Sequence, residues 1–277
     1  MKSVAGLRPT DKIGKYMRWG LPVLFVLLSG CATQQTSVTA NAQAANAPAG
    51  PEADLQQRAR IRLELAASYF QADRMDVAAE EVGQVLAMTP NNADAHSLQG
   101  LIYMRNQDWL RADASLQKAI SLRPQDGDLQ HNYGWLQCQR KLFADAQQWF
   151  DKAMTQPGYR GAPKTLLAKG LCYHQDGRLD LAQKSLFEAY EMDAANPVVA
   201  YHLSNVMVLR GETKRAQFYI RRLNNSAQAN AESLWLGIKV ERAMQDQVAM
   251  RQLAEQLQKR FPDSRQWMAY ERGAFNE

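Results

Sequence analysis

The chain has 277 residues, 46% of them hydrophobic, with 33 Lys and Arg against 28 Asp and Glu. That apolar content suits a packed domain and excludes a disordered chain. The basic excess sits at the start: residues 1–30 hold five basic side chains and one acidic one, leaving 28 basic against 27 acidic from residue 31 onward. A body so balanced has little electrostatic drive toward phosphates, so nucleic-acid binding loses its main support.

In chain order, Lys12, Lys15 and Arg18 precede the apolar run Trp19 to Leu28. Ten residues are too few to span a bilayer, which needs about 20. They fit the apolar core of a secretory signal, placing a signal peptide at 1–30, with Met1 or Met17 as its start. The run ends Leu28-Ser29-Gly30-Cys31. Small residues before a cysteine, directly after such a core, resemble the lipobox of bacterial lipoproteins. The resemblance implies lipidation at Cys31, cleavage before it, and membrane attachment through acyl chains. Ala32 in place of Asp implies sorting to the outer membrane, on its periplasmic face. The alternative is a plain secretory signal that happens to end at a cysteine. Residues 31–54, rich in Ala, Gln, Thr, Asn, Gly and Pro without apolar period, read as a flexible lipidated tether.

From residue 55 to 277 the chain repeats itself. Ala66, Gly100 and Gly134 are 34 apart; Gly170 follows after 36, then Ser204 and Ile238 after 34 each. Ala78, Ala112, Ala146, Ala182, Ala216 and Met250 form a second track with the same spacings. Pro90, Pro124 and Pro262 mark unit ends. Two antiparallel helices cross closely only where small residues meet, and large ones a turn away fill the flanks. The pattern resembles the tetratricopeptide repeat. It predicts an all-α, right-handed solenoid of about six helix-turn-helix units at 59–92, 93–126, 127–162, 163–196, 197–230 and 231–264. The two extra residues fall near Pro157-Gly158-Tyr159-Arg160-Gly161-Ala162-Pro163, where two Pro and two Gly predict a longer turn.

Chemistry-bearing motifs are missing from the pattern. His96, His131, His174 and His202 do not pair at the i, i+4 spacing of a helical metal site. There is no phosphate loop and no nucleophile elbow. The expectation is a non-enzymatic protein with no cofactor, no metal and no small-molecule substrate. Cys138 and Cys172 each fall in the first helix of adjacent units, which pack side by side. In an oxidising compartment they are candidates for a disulfide between units three and four; the alternative is two buried free thiols.

Finer residues point to a family. His131-Asn132-Tyr133-Gly134-Trp135-Leu136-Gln137-Cys138, the Pro157-Gly158-Tyr159 turn and Gly170-Leu171-Cys172 resemble the PilF/PilW family of type IV pilus biogenesis lipoproteins. Gln139-Arg140-Lys141 departs from it where a Gly is common, and Lys169 where an Asn is. The resemblance implies a pilotin: a scaffold that brings the pilus secretin PilQ to the outer membrane and aids its multimer assembly. First helices of such a solenoid line a concave face able to hold a partner segment. Leu63, Ala67 and Phe70, with Leu101 and Met104, fall at groove-facing positions. His131, Trp135 and His174 are placed at the middle of the same face. The same residues could instead pack only against neighbouring helices or the tether. Two other functions compete: an adaptor for β-barrel assembly or cell-wall hydrolase recruitment, and a cell-wall hydrolase with a divergent site.

Overall fold

The structure, a computed structural model, describes residues 50–276. The expected signal peptide, Cys31 and most of the tether lie outside them. The described residues form thirteen helices and no strand. They pair as hairpins: α1 (Pro51–Gln71) with α2 (Met75–Met88), α3 (Ala93–Arg105) with α4 (Trp109–Leu122), and α5 (Gly127–Gln139) with α6 (Phe143–Met154). Then come α7 (Ala162–Gln175) with α8 (Leu179–Met192), α9 (Pro197–Leu209) with α10 (Thr213–Asn224), and α11 (Ala231–Ala243) with α12 (Gln247–Arg260). A short α13 (Arg265–Glu271) packs on the last hairpin through Trp267 and Tyr270, and Phe275 beyond it stacks on Trp235. This is the all-α tetratricopeptide solenoid.

The helices begin where the sequence supplies caps. Asn92, Asp126, Asn196 and Asn230 accept backbone N–H bonds at the starts of α3, α5, α9 and α11. Each satisfies a donor that the helix itself cannot. The first helix starts earlier than expected. Pro51 opens α1, with Glu52 and Asp54 in its first turn, so residues 51–54 are helical and not tether. Proline loses nothing at a helix's first position, and acids there favour the positive end of the helix dipole.

Each hairpin closes on the small residues. Ala78, Ala112, Ala146, Ala182 and Ala216 are fully buried. A Cβ on Gly134 would lie 2.8 Å from Phe150 and 3.2 Å from the Ala146 carbonyl; Gly100 meets Leu116 and Gly170 meets Leu186 in the same way. The sixth hairpin departs. Ile238 is buried, and close approach passes to Gly237, whose Cβ would sit 2.4 Å from the Asn224 amide of α10. The Asn224 amide donates to the Ser233 carbonyl, so this hairpin is keyed to its predecessor by a polar contact.

The turn inside every hairpin needs one residue in the left-handed region. It is Asp73, Gln107, Lys141, Gly177, Gly211 and Gln245, with φ between 58° and 77°. Only two of the six are glycine, which explains why Lys141 could stand where the family resemblance suggests a Gly.

Candidate functional site

The first helices of hairpins one to three end along one edge, and their last turns enclose an apolar pocket of about 310 Å³. Phe70 comes from α1, Leu101, Met104 and Arg105 from α3, and Trp135 and Gln139 from α5. Trp109, the first residue of α4, completes the wall. The sequence places these side chains together because positions 67, 101 and 135 share one register of the repeat, and 70 and 104 another. A partly buried ring such as Phe70 or Trp135 keeps one face against its own core and the other toward the pocket.

Polar groups sit at the rim. Arg105 pairs with Asp73 at 3.2 Å, both exposed, and its guanidinium lies 5.9 Å from the centre of the Phe70 ring. Such an exposed pair contributes little stability and can exchange partners. The remaining wall residues carry no titratable group. The arrangement can therefore bury apolar side chains, about 1.5–3 kcal/mol for a Leu or Phe fully taken from water.

Four of the eight residues assigned to a groove from sequence (Phe70, Leu101, Met104 and Trp135) line this pocket. Leu63 and Ala67 pack instead against the core of the first hairpin, half-buried. His174 is half-buried on α7. Burial is the larger cause holding His202 below its ordinary pKa, with His174 second.

His131 is a correction. It is 7% exposed, inside the stack and not on a binding face. Its Nδ1 lies 2.9 Å from the Thr165 hydroxyl of α7, and its ring tilts against Phe150. Burial, helped by the Lys164 charge, pushes its pKa down to about 3. The long turn packs beside it. Residues 155–161 between α6 and α7 fold Tyr159 back so that its ring lies over Gly127 and Gly161 and its hydroxyl meets Thr165 at 2.6 Å. Tyr159 and His131 thus meet the same Thr165 hydroxyl.

At the other end of the same helix pair, Cys138 and Cys172 form a disulfide with Cα atoms 5.7 Å apart. Asn132 is spent on structure too, donating to Ser97 of α3. Trp109 was missed by the sequence reading, because it belongs to a second helix; a Trp at a turn between two apolar helices was the available signal. Among the described residues no cluster of three or more His, Cys, Asp or Glu could hold a metal ion, and no helix is long and apolar enough to cross a membrane.

A tetratricopeptide-repeat family model matches residues 63–127 and 97–163, and a second matches 163–196. Among curated proteins, an uncharacterized protein of Haemophilus influenzae is 28% identical over 138 residues, half of this chain and 77% of its own. The type IV pilus assembly protein PilF of Pseudomonas aeruginosa is 21% identical over 209 residues, 76% of this chain and 83% of its own. Among solved structures, PilW, described as a widely conserved type IV pilus biogenesis factor, superposes with a TM-score of 0.68 at 26% identity, covering 76% of this chain and 97% of PilW. The Pseudomonas aeruginosa pilF structure follows at 0.67 and 20% identity, covering 79% and 99%. The chain is a tetratricopeptide-repeat protein homologous to the type IV pilus proteins PilF and PilW.

Proposed function

We propose that this chain is a lipoprotein of the outer membrane, anchored through Cys31 on the periplasmic face, that serves as a non-catalytic pilotin for the secretin PilQ. It guides the secretin to the outer membrane and supports its assembly into multimers. The observation that carries this reading is the pocket of Phe70, Leu101, Met104, Trp109 and Trp135, an apolar surface with a charged rim and no reactive group. An apolar pocket on consecutive first helices suits a partner segment with one or two bulky apolar anchors. Homology to type IV pilus proteins supplies the machine.

The test is fractionation of cells lacking the protein, with secretin multimers probed in unheated samples. Loss of multimers, or their shift to the inner membrane, with β-barrel proteins unaffected, is the expected result. Unchanged multimers would refute the pilotin role. Loss of β-barrel proteins instead would favour the adaptor of another envelope machine.

A further inference from the structure

The walls of the apolar pocket on α1, α3 and α5 are rich in hydrogen-bond donors and poor in acceptors. Trp109 and Trp135 line it, and among the described residues neither indole N–H has a hydrogen-bond partner. Neither N–H is sealed from solvent, and neither ring stacks on another ring or on a cation. Gln139 adds a half-buried amide that is likewise unpartnered, and Arg105 an exposed guanidinium. An indole donates and does not accept, and the same holds for a guanidinium. No carboxylate lines the pocket, and its one strong side-chain acceptor is the Gln139 amide oxygen. The backbone does not redress the balance. The carbonyls of Phe70, Met104 and Cys138, in the last turns of α1, α3 and α5, already accept the N–H groups of Asp73, Gln107 and Lys141.

This imbalance selects among guests. A helical segment has spent its carbonyls on its own N–H groups and would leave the indole donors unmet. An ordinary extended segment brings one N–H for every carbonyl, and those N–H groups would find almost no acceptor. A buried polar group without a partner is costly in either case. A proline brings a carbonyl, no N–H, and an apolar ring that packs on the face of an aromatic side chain.

The spacing agrees. A polyproline II helix has three residues per turn and rises about 3.1 Å per residue, so residues three apart lie on one edge, about 9 Å from each other. Packed helices lie about 8–10 Å apart. Two prolines three residues apart therefore match the step from the α1–α3 contact, walled by Phe70 and Leu101, to the α3–α5 contact, walled by Met104 and Trp135.

We propose, resting on the reading of this pocket as the partner-binding surface, that it binds a proline-rich segment of the protein partner in the polyproline II conformation. The prolines lie against Phe70, Trp109 and Trp135, and the carbonyls between them accept from the indole N–H groups and the Gln139 amide. Such a segment is already extended when free, so binding costs it little ordering.

The experiment is a titration of the isotope-labelled chain, followed by the indole N–H signals of Trp109 and Trp135 and assigned by their loss in Trp109→Phe and Trp135→Phe. Three probe peptides are used, each acetylated and amidated: Ala-Pro-Leu-Ala-Pro-Leu-Ala-Pro, the same peptide with every Pro replaced by Ala, and an amphipathic helix of Leu and Lys. The proline peptide should shift both signals saturably. The alanine peptide should bind at least about tenfold more weakly, because each N–H it gains goes unmet. Trp109→Phe and Gln139→Leu should each weaken the proline peptide about fivefold, the worth of one neutral hydrogen bond. Gln139→Leu keeps the side-chain bulk at a half-buried position, so it carries the test if Trp109→Phe lowers the melting temperature. Equal binding of the proline and alanine peptides, tighter binding of the helix, or no shift with the proline peptide would overturn the assignment. A helix that won would leave the pocket as the partner surface, and the pilotin role is decided separately, by secretin multimers in cells lacking the protein.

Discussion

His131 gives the sharpest physical test of how the third and fourth hairpins are joined. It is buried neutral, bonded to Thr165, with its pKa lowered to about 3 by burial first and by Lys164 second. In the unfolded chain the imidazole titrates near 6.5. Between those values the unfolded chain binds a proton that the folded protein refuses. Stability is therefore complete above the unfolded pKa and is lost as pH falls from 6.5 toward 3. From pH 7 to pH 5 the linked loss comes to about 2 kcal/mol, from integrating the difference in bound protons. His131→Gln removes the titration while keeping a group able to meet Thr165. Urea unfolding at pH 7, 6 and 5 would measure it, by circular dichroism and tryptophan fluorescence together; coincident curves license a single free energy. His202 is shifted in the same direction but is present in both proteins, so it cancels in the difference. The variant should lose about 2 kcal/mol less than the unaltered protein over that range. Parallel pH profiles would refute both the burial of His131 and its neutrality.

Four further outcomes follow from particular contacts. Phe70→Glu places a charge in the apolar pocket at a half-buried position, so binding to the proposed secretin partner, measured by pull-down, should fall at least tenfold while the circular dichroism spectrum stays unchanged; undiminished binding sinks the pocket assignment. Lys141→Gly relieves a left-handed residue with φ 61° and should raise stability by about 1 kcal/mol in urea, whereas a loss would mean that Lys141 is held by contacts outweighing that strain. Gly134→Ala pushes a methyl against Phe150 and should cost about 1–3 kcal/mol, and a neutral result would show the hairpin crossing to be slack. Removing the disulfide by paired Cys138→Ser and Cys172→Ser should cost about 3–4 kcal/mol for a loop closed across 34 residues, seen as faster hydrogen exchange in α6 and α7; unaltered exchange there would show that the bond does not constrain the joint.

The repeat was legible because its physics is local. A crossing between two helices tolerates only small side chains, so Ala78, Ala112, Ala146, Ala182 and Ala216 stamp a period on the chain that any reader can measure. Pocket residues Phe70, Leu101, Met104 and Trp135 were legible for the same reason, since register alone sets which face they share. What register cannot convey is what covers a face. Leu63 and Ala67 hold groove positions but are taken up by the first hairpin's core, and His131 holds one but is buried against Thr165 and Phe150. Trp109 entered the pocket from a second helix, across a turn whose geometry depends on Gln107 adopting positive φ, which a glutamine in the sequence does not advertise. The start of α1 at Pro51 was blurred by composition, because Pro and Ala suit a tether and the first turn of a helix equally well.

The joint between hairpins three and four explains why so many specific contacts gather there. In a solenoid each hairpin is stabilised mainly by its neighbours, so a weak interface divides the array into two independently moving halves. The connection between α6 and α7 spans 155–161, against 123–126 between α4 and α5 and 193–196 between α8 and α9; only 225–230, between α10 and α11, comes near it in length among the described residues. A longer connection restrains the next hairpin less, because closure entropy rises with loop length. The chain answers at both ends of the α5–α7 contact. The Cys138–Cys172 bond holds the C-terminal ends, and Tyr159, drawn from the long turn itself, locks Thr165 and His131 near the N-terminal ends. Lys164 and Asp128 add an exposed pair at 3.2 Å, which is worth little alone. The apolar pocket lies on one side of this joint, on the first helices of hairpins one to three, so the joint fixes how hairpin four is carried relative to it.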